Sequence, residues 1–196
     1  TMTLRDRAEA LQRQARELLR DAGVVDLFAQ LGAVHFVGSY RFDVMYRPDI
    51  DLIVTAHKPH RDHAIVVTKQ LLDTPHLQTV GFADWSAYQD PDGARGYYWE
   101  LRAFRGDDWW KLDVWYTTPE DDRSIEPADR FARLLQDNPA AKDVILAIKA
   151  HYFDGTKYRD GVTGFAICDA VLNGGRTSVE SFVQAWDATL ARCLEQ

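Results

Sequence analysis

The stretch that decides the fold is Val37-Gly38-Ser39, then nine residues, then Asp49-Ile50-Asp51-Leu52-Ile53-Val54. A Gly-Ser pair closes one apolar run, and two aspartates alternate with aliphatics at the opening of the next. Side chains on a strand alternate between faces. Asp49 and Asp51 therefore point one way, while Ile50 and Leu52 point the other way into a core. Two carboxylates side by side repel unless a cation lies between them. Hard divalent ions such as Mg²⁺ take oxygen ligands, commonly one or two carboxylates plus substrate phosphates. The stretch predicts metal-assisted chemistry on a phosphate.

Working outward, residues 34–37 read as a strand ending at the Gly-Ser pair, with His35 packed or satisfied inside it. Residues 51–55 form a second strand, and Pro48 pushes the residue before it toward an extended conformation. Upstream, residues 3–21 carry Leu4, Ala8, Leu11, Ala15, Leu18 and Leu19 at helical spacing behind a Thr3 cap. A short helix over 25–31 follows Gly23. Downstream, residues 60–72 are again helical. His57, His60 and His63 straddle a Lys-Pro turn with no acidic or cysteine partner at ligand spacing, which argues against a metal cluster there.

The middle of the chain is β-rich. Residues 96–104 and 109–117 flank Arg105-Gly106-Asp107-Asp108 and predict a hairpin. Alternation along the second arm puts Trp109, Lys111, Asp113 and Trp115 on one face. An aspartate at the centre of so apolar a strand needs a reason. One is a salt bridge across the hairpin, with Arg102 as the candidate; the other is a third metal carboxylate. Trp109 and Trp115 share its face and Trp99 is placed nearby. Each tryptophan is read first as packing and second as a surface for a base or an acceptor.

After residue 122 the pattern turns helical, over 127–137, 139–153, 161–173 and 177–194. The expected class is α+β: a small mixed sheet over residues 2–122, then a helical bundle over 123–196. The net charge of −7 shifts the expected partner away from nucleic acid, which favours basic surfaces. Two cysteines, Cys168 and Cys193, make no disulfide framework. No apolar run approaches the roughly 20 residues of a membrane span. With a polar, Arg-rich N-terminal region, these features predict a soluble cytoplasmic protein with no membrane partner.

Gly38-Ser39, the strand-borne Asp49 and Asp51, and the later Asp113 together resemble the signature of the DNA polymerase β-like nucleotidyltransferase superfamily. That family often has a glycine a few residues after the Gly-Ser; residues 40–48 contain none. In the second half, Lys149, Tyr158 and Gly164-Phe165 resemble the helical domain of the archaeal CCA-adding enzymes and the oligoadenylate synthetase group. The resemblance implies a palm-like domain and two Mg²⁺ ions held by Asp49, Asp51 and Asp113. It implies a triphosphate bound by Gly38, Ser39, Lys149 and Tyr158. The implied reaction moves an NMP, AMP from ATP in the leading case, onto a hydroxyl acceptor with release of pyrophosphate. A small molecule or a protein side chain is the expected acceptor. An RNA 3′ end is the alternative, as is a non-catalytic nucleotide-binding or antitoxin-type protein on the same fold.

Overall fold

A computed structural model describes residues 2–88, 95–153 and 161–194. Helix α1 (Leu4–Ala22) opens with a capping box in which Thr3 and Asp6 satisfy each other's backbone N–H groups, and stops at Gly23 with φ 62°. Helix α2 (Val24–Ala29) leads into β1 (Ala33–Val37), and a one-turn helix α3 (Gly38–Arg41) follows at once. Strand β2 (Asp49–Thr55), helix α4 (Arg61–Leu72) and strand β3 (Thr79–Asp84) come next, then the hairpin β4 (Tyr97–Arg105) and β5 (Asp108–Thr117). Helices α5 (Ile125–Asp137), α6 (Ala140–Tyr152), α7 (Gly164–Leu172) and α8 (Val179–Leu194) complete the described chain. The mixed sheet and the later helices match the expected α+β class. Strand β3 was not among the expected elements, because its Thr-Val-Gly-Phe-Ala run is short and half-exposed.

The sheet order is β1-β2-β5-β4-β3, with β2 and β5 parallel and the other neighbours antiparallel. One face is apolar. Ile50, Leu52 and Val54 of β2, Leu112 and Val114 of β5, and Trp99 and Leu101 of β4 are fully buried there. They pack against Leu18 of α1, Phe28 of α2 and Val67 of α4. Each such side chain contributes about 1.5–3 kcal/mol by leaving water. Trp99 belongs to this core, so it does not stand near Asp113 as the sequence suggested. Alternation gives its neighbour Tyr98 to the opposite face instead.

That opposite face carries Asp49, Asp51, Lys111 and Asp113. A second buried cluster covers part of it, built from Val37, Phe42, Val44 and Ile53 together with Phe131, Ile145, Ile148 and Ile167 of the later helices. The bulky glycine-free connector is therefore core: Phe42, Val44 and Met45 are all buried. The backbone still needs a left-handed residue there, and Asp43 supplies it at φ 56°. Aspartate tolerates that region better than most side chains. Lys142 Nζ binds the Asp43 carboxylate at 2.7 Å.

His35 sits in β1 with Nε2 3.1 Å from Thr55 Oγ1. His60 caps α4, its Nδ1 accepting from the Asp62 backbone N–H.

Candidate active site

The parallel pairing of β2 with β5 builds the site. Its register sets Asp51 beside Asp113 and Asp49 beside Lys111. One carboxylate oxygen from each of Asp49, Asp51 and Asp113 lies within 4.8 Å of the others. Among the described residues this is the one group of metal-ligating side chains so arranged. The pair of strands brings together residues 62 positions apart, which the sequence could propose but not place.

The local electrostatics fit a cation. Burial, then the charges of Asp49 and Asp113, push the Asp51 carboxyl up to about 7. Burial is also the main cause that raises Asp49, with Asp113 adding to it. Asp49 Oδ1 is buried with no hydrogen-bond partner. An orphaned carboxylate oxygen inside a crowd of carboxylates is what a hard cation would satisfy.

Asp113 is held differently from the other two. Tyr98 Oη donates to its Oδ1, and Lys111 Nζ pairs with its Oδ2. The hairpin register puts Glu100 opposite Asp113 and Arg102 opposite Lys111. Arg102 pairs with Glu100 at 3.0 Å rather than with Asp113. The salt-bridge partner is thus Lys111, two positions from Asp113 on the same strand and face, and not Arg102 across the hairpin. Burial alone would lower the Lys111 pKa, but its bond to Asp113 and the charges of Asp113 and Asp49 raise it. Burial and the bond to Asp113 raise the Tyr98 phenol as well.

Gly38 closes the other side. Its φ is 63°, and a Cβ added there would overlap Asp51 Oδ2. Only glycine meets both demands. The backbone turn that carries Ser39 is therefore laid directly against the carboxylates. Lys149, 1% exposed, reaches over from α6. Its Nζ donates to Ser39 Oγ and to the Val44 carbonyl, each at 2.7 Å. Burial lowers the Lys149 pKa to about 8, while the charges of Asp51 and Asp49 oppose the fall. Gly164, at the start of α7, comes close to the same pair: its Cβ position is 3.6 Å from Ser39 Oγ.

A cavity of about 600 Å³ opens over these groups. Asp49, Asp51 and Asp113 line it, together with Gly38, Ser39, Tyr98 and Trp115. Arg123 and Phe165 line it as well. Asp49, Asp51, Asp113, Gly38, Ser39 and Lys149 therefore converge. Tyr158 lies outside the described residues. Trp115 lines the cavity, whereas Trp109 is half-exposed beside Phe104 at the far end of the hairpin. Tyr98, Lys111 and Arg123 were not singled out from sequence. The turn at Gly106 fixes the register that would have placed Tyr98 across from Trp115.

No protein-family model matches the sequence, and no curated protein matches it. Solved structures do match in fold. The Cid1 poly(U) polymerase bound to MgATP aligns with a TM-score of 0.58 at 14% identity, over 85% of this chain and 50% of the other. A cytoplasmic RNA terminal U-transferase aligns with a TM-score of 0.54 at 13% identity, over 84% of this chain and 46% of that one. The polymerase core of TRAMP, an RNA surveillance complex, aligns with a TM-score of 0.51 at 17% identity, over 84% and 49%. The chain spans about half the length of these structures. The chain shares its fold with these polymerases and terminal transferases.

Proposed function

We propose that this chain is a Mg²⁺-dependent nucleotidyltransferase that moves an NMP from an NTP onto a hydroxyl acceptor and releases pyrophosphate. One observation carries the reading: three carboxylates converge on a cavity also lined by the Gly38-Ser39 turn braced by Lys149. Asp49, Asp51 and Asp113 would hold two Mg²⁺ ions. When bound, such ions polarise phosphoryl oxygens and favour an ionised acceptor hydroxyl.

The remaining roles fall to the chain's own groups. Backbone N–H groups at Gly38 and Ser39, with the Ser39 hydroxyl, bind the β- and γ-phosphates. Lys149 lies behind Ser39, so it orders that hydroxyl and supplies positive charge beneath the pyrophosphate. The resemblance of the second half to the CCA-adding and oligoadenylate synthetase group supports Tyr158 as a second triphosphate contact. Asp113, beside Tyr98, accepts the proton of the incoming hydroxyl. Positioning and electrostatics supply most of the rate in this chemistry. The helical part, residues 123–196, acts as a nucleotide- and substrate-binding domain beside a catalytic part over 2–122.

ATP is the proposed donor, and a small molecule or a protein side chain the proposed acceptor. An RNA 3′ end stands as a second reading, favoured by the RNA terminal transferases among the fold neighbours. The cytoplasm is the proposed compartment: Cys168 is a buried free thiol, raised to about 11 by burial, and no described helix is long and apolar enough to cross a membrane.

Pyrophosphate release tests the reading. Each of the four NTPs is supplied with Mg²⁺ and one of three acceptor pools: small metabolites, protein, or short RNA. Release with one donor and one pool, abolished by Asp49→Asn, is the expected result. Nucleotide binding that needs no Mg²⁺ and never yields pyrophosphate would leave a non-catalytic binding protein.

A further inference from the structure

The proposed chemistry needs a hydroxyl group next to Asp113, and the chain already puts one of its own there. Three hydroxyl side chains line the cavity among the described residues: Ser39, Tyr98 and Ser124. Ser39 Oγ accepts from Lys149 Nζ at 2.7 Å, and its hydroxyl is assigned to the phosphates above. Ser124 is exposed ahead of α5, with its backbone N–H on Asp122. Tyr98 alone places its hydroxyl on a carboxylate of the triad, donating to Asp113 Oδ1.

The phenol is held there by the sheet. Tyr98 stands on β4, bonded to β5 on one side and β3 on the other. The Trp115 ring, across the β4–β5 ladder, lies 5.0 Å from the Tyr98 ring and inclined 40° to it. On the β3 side the paired residue is Ala83, which offers only a methyl group. The ring is therefore backed by Trp115 on one flank and paired with the small Ala83 on the other. It leans diagonally over the sheet toward Asp113, since the residue directly opposite Asp113 is Glu100.

We propose that Tyr98 is itself a nucleotidyl acceptor, so that the chain modifies its own phenol. The inference rests on the nucleotidyltransferase reading above. In the step, Tyr98 Oη forms a bond to the α-phosphorus of the NTP. The bond from that phosphorus to the oxygen bridging to the β-phosphate breaks, and the electron pair leaves on pyrophosphate. The phenolic proton passes to the Asp113 carboxylate and on to water. The product is a Tyr98 phosphodiester that fills the acceptor side of the cavity and removes the hydrogen bond now holding Asp113. An external acceptor competes with Tyr98 for the same carboxylate, so modification prevails when external acceptor is scarce.

The test incubates the full chain with Mg²⁺ and each NTP, labelled at either the α- or the γ-phosphorus, without added acceptor. Pyrophosphate release is followed in parallel, with and without acceptor pools. A single label per chain from α-labelled NTP, none from γ-labelled NTP, and peptide mapping to Tyr98 is the expected result. Tyr98→Phe keeps the ring against Trp115 and should unfold in a single cooperative thermal transition, yet lose the label. Pyrophosphate release onto an added acceptor with no label on Tyr98 overturns the inference and leaves the enzyme reading intact. Label that persists at another residue in Tyr98→Phe overturns it too. No pyrophosphate under any condition defeats both.

Discussion

Lys149 Nζ donates to Ser39 Oγ at 2.7 Å across 110 positions of sequence, and that one hydrogen bond ties helix α6 to the turn after β1. The same ammonium binds the Val44 carbonyl, so it also pins the connector that runs between the Gly-Ser turn and the carboxylate strand. A buried lysine with two of its three donors spent on the chain is a structural brace as well as a source of charge.

Replacing it separates those two roles. Lys149→Met is expected to weaken NTP binding by about 1.5–3 kcal/mol, roughly 10- to 100-fold, the usual worth of a charge-assisted hydrogen bond. Calorimetric titration with Mg²⁺ present measures this directly. Unfolding in urea reports the structural part. An orphaned Val44 carbonyl costs about 1–3 kcal/mol, against which the relief of a buried charge works.

Gly38→Ala tests the approach of backbone to carboxylate. The substitution meets a left-handed φ of 63° and a Cβ position already taken by Asp51 Oδ2. Strain of about 1–2 kcal/mol comes from the backbone alone. The expected outcome is a folded protein with a lowered melting temperature and a larger fractional loss of Mg²⁺-dependent NTP binding. Unchanged binding would mean that the Asp51 carboxylate is not held by this turn.

The pH dependence of the metal-free protein follows from Asp51 and Lys149. Asp51 is raised from an ordinary 3.8 to about 7, so its stabilising proton is fully bound below about pH 4 and is lost as pH rises through 7. Lys149 is lowered from 10.5 to about 8, so its contribution is present above about 10.5 and is lost as pH falls through 8. Together the two groups place their least favourable point near pH 7–8. Mg²⁺ should therefore raise the melting temperature more at pH 8 than at pH 5, as thermal melts with and without the ion would show. An equal shift at both pH values would contradict a metal site on these carboxylates.

How much of this was legible depended on where the physics is local. Alternation in Asp49-Ile50-Asp51-Leu52 identifies a half-buried strand by itself, and the Thr3 cap marks a helix start. The convergence of Asp113 with Asp49 and Asp51 rests on a parallel pairing of distant strands, a long-range event that sequence could propose only through resemblance. Trp99 and Tyr98 show the limit more closely. They are neighbours on opposite faces of β4, and one step in register decides which meets the core and which meets Asp113. The loop at Asp43 was opaque for another reason: a left-handed backbone was met by aspartate, held by Lys142, where glycine was the residue to look for.

Asp113→Asn separates binding from chemistry. Asparagine keeps the size of the group but cannot take up the acceptor's proton. The rate of pyrophosphate release should fall roughly a hundredfold or more, the usual worth of a positioned general base. NTP affinity, resting on Asp49, Asp51 and the Ser39 turn, should change far less. Equal losses in both would assign Asp113 to ground-state binding.

The central claim is that three carboxylates and a lysine-braced Gly-Ser turn form one metal-dependent triphosphate site. Calorimetric titration of ATP into the wild-type chain and into Asp49→Asn, each with and without Mg²⁺, tests it most directly. The account predicts saturable binding to the wild type only when Mg²⁺ is present, and its loss in Asp49→Asn. Binding of equal strength without Mg²⁺, or undiminished in the variant, would contradict it.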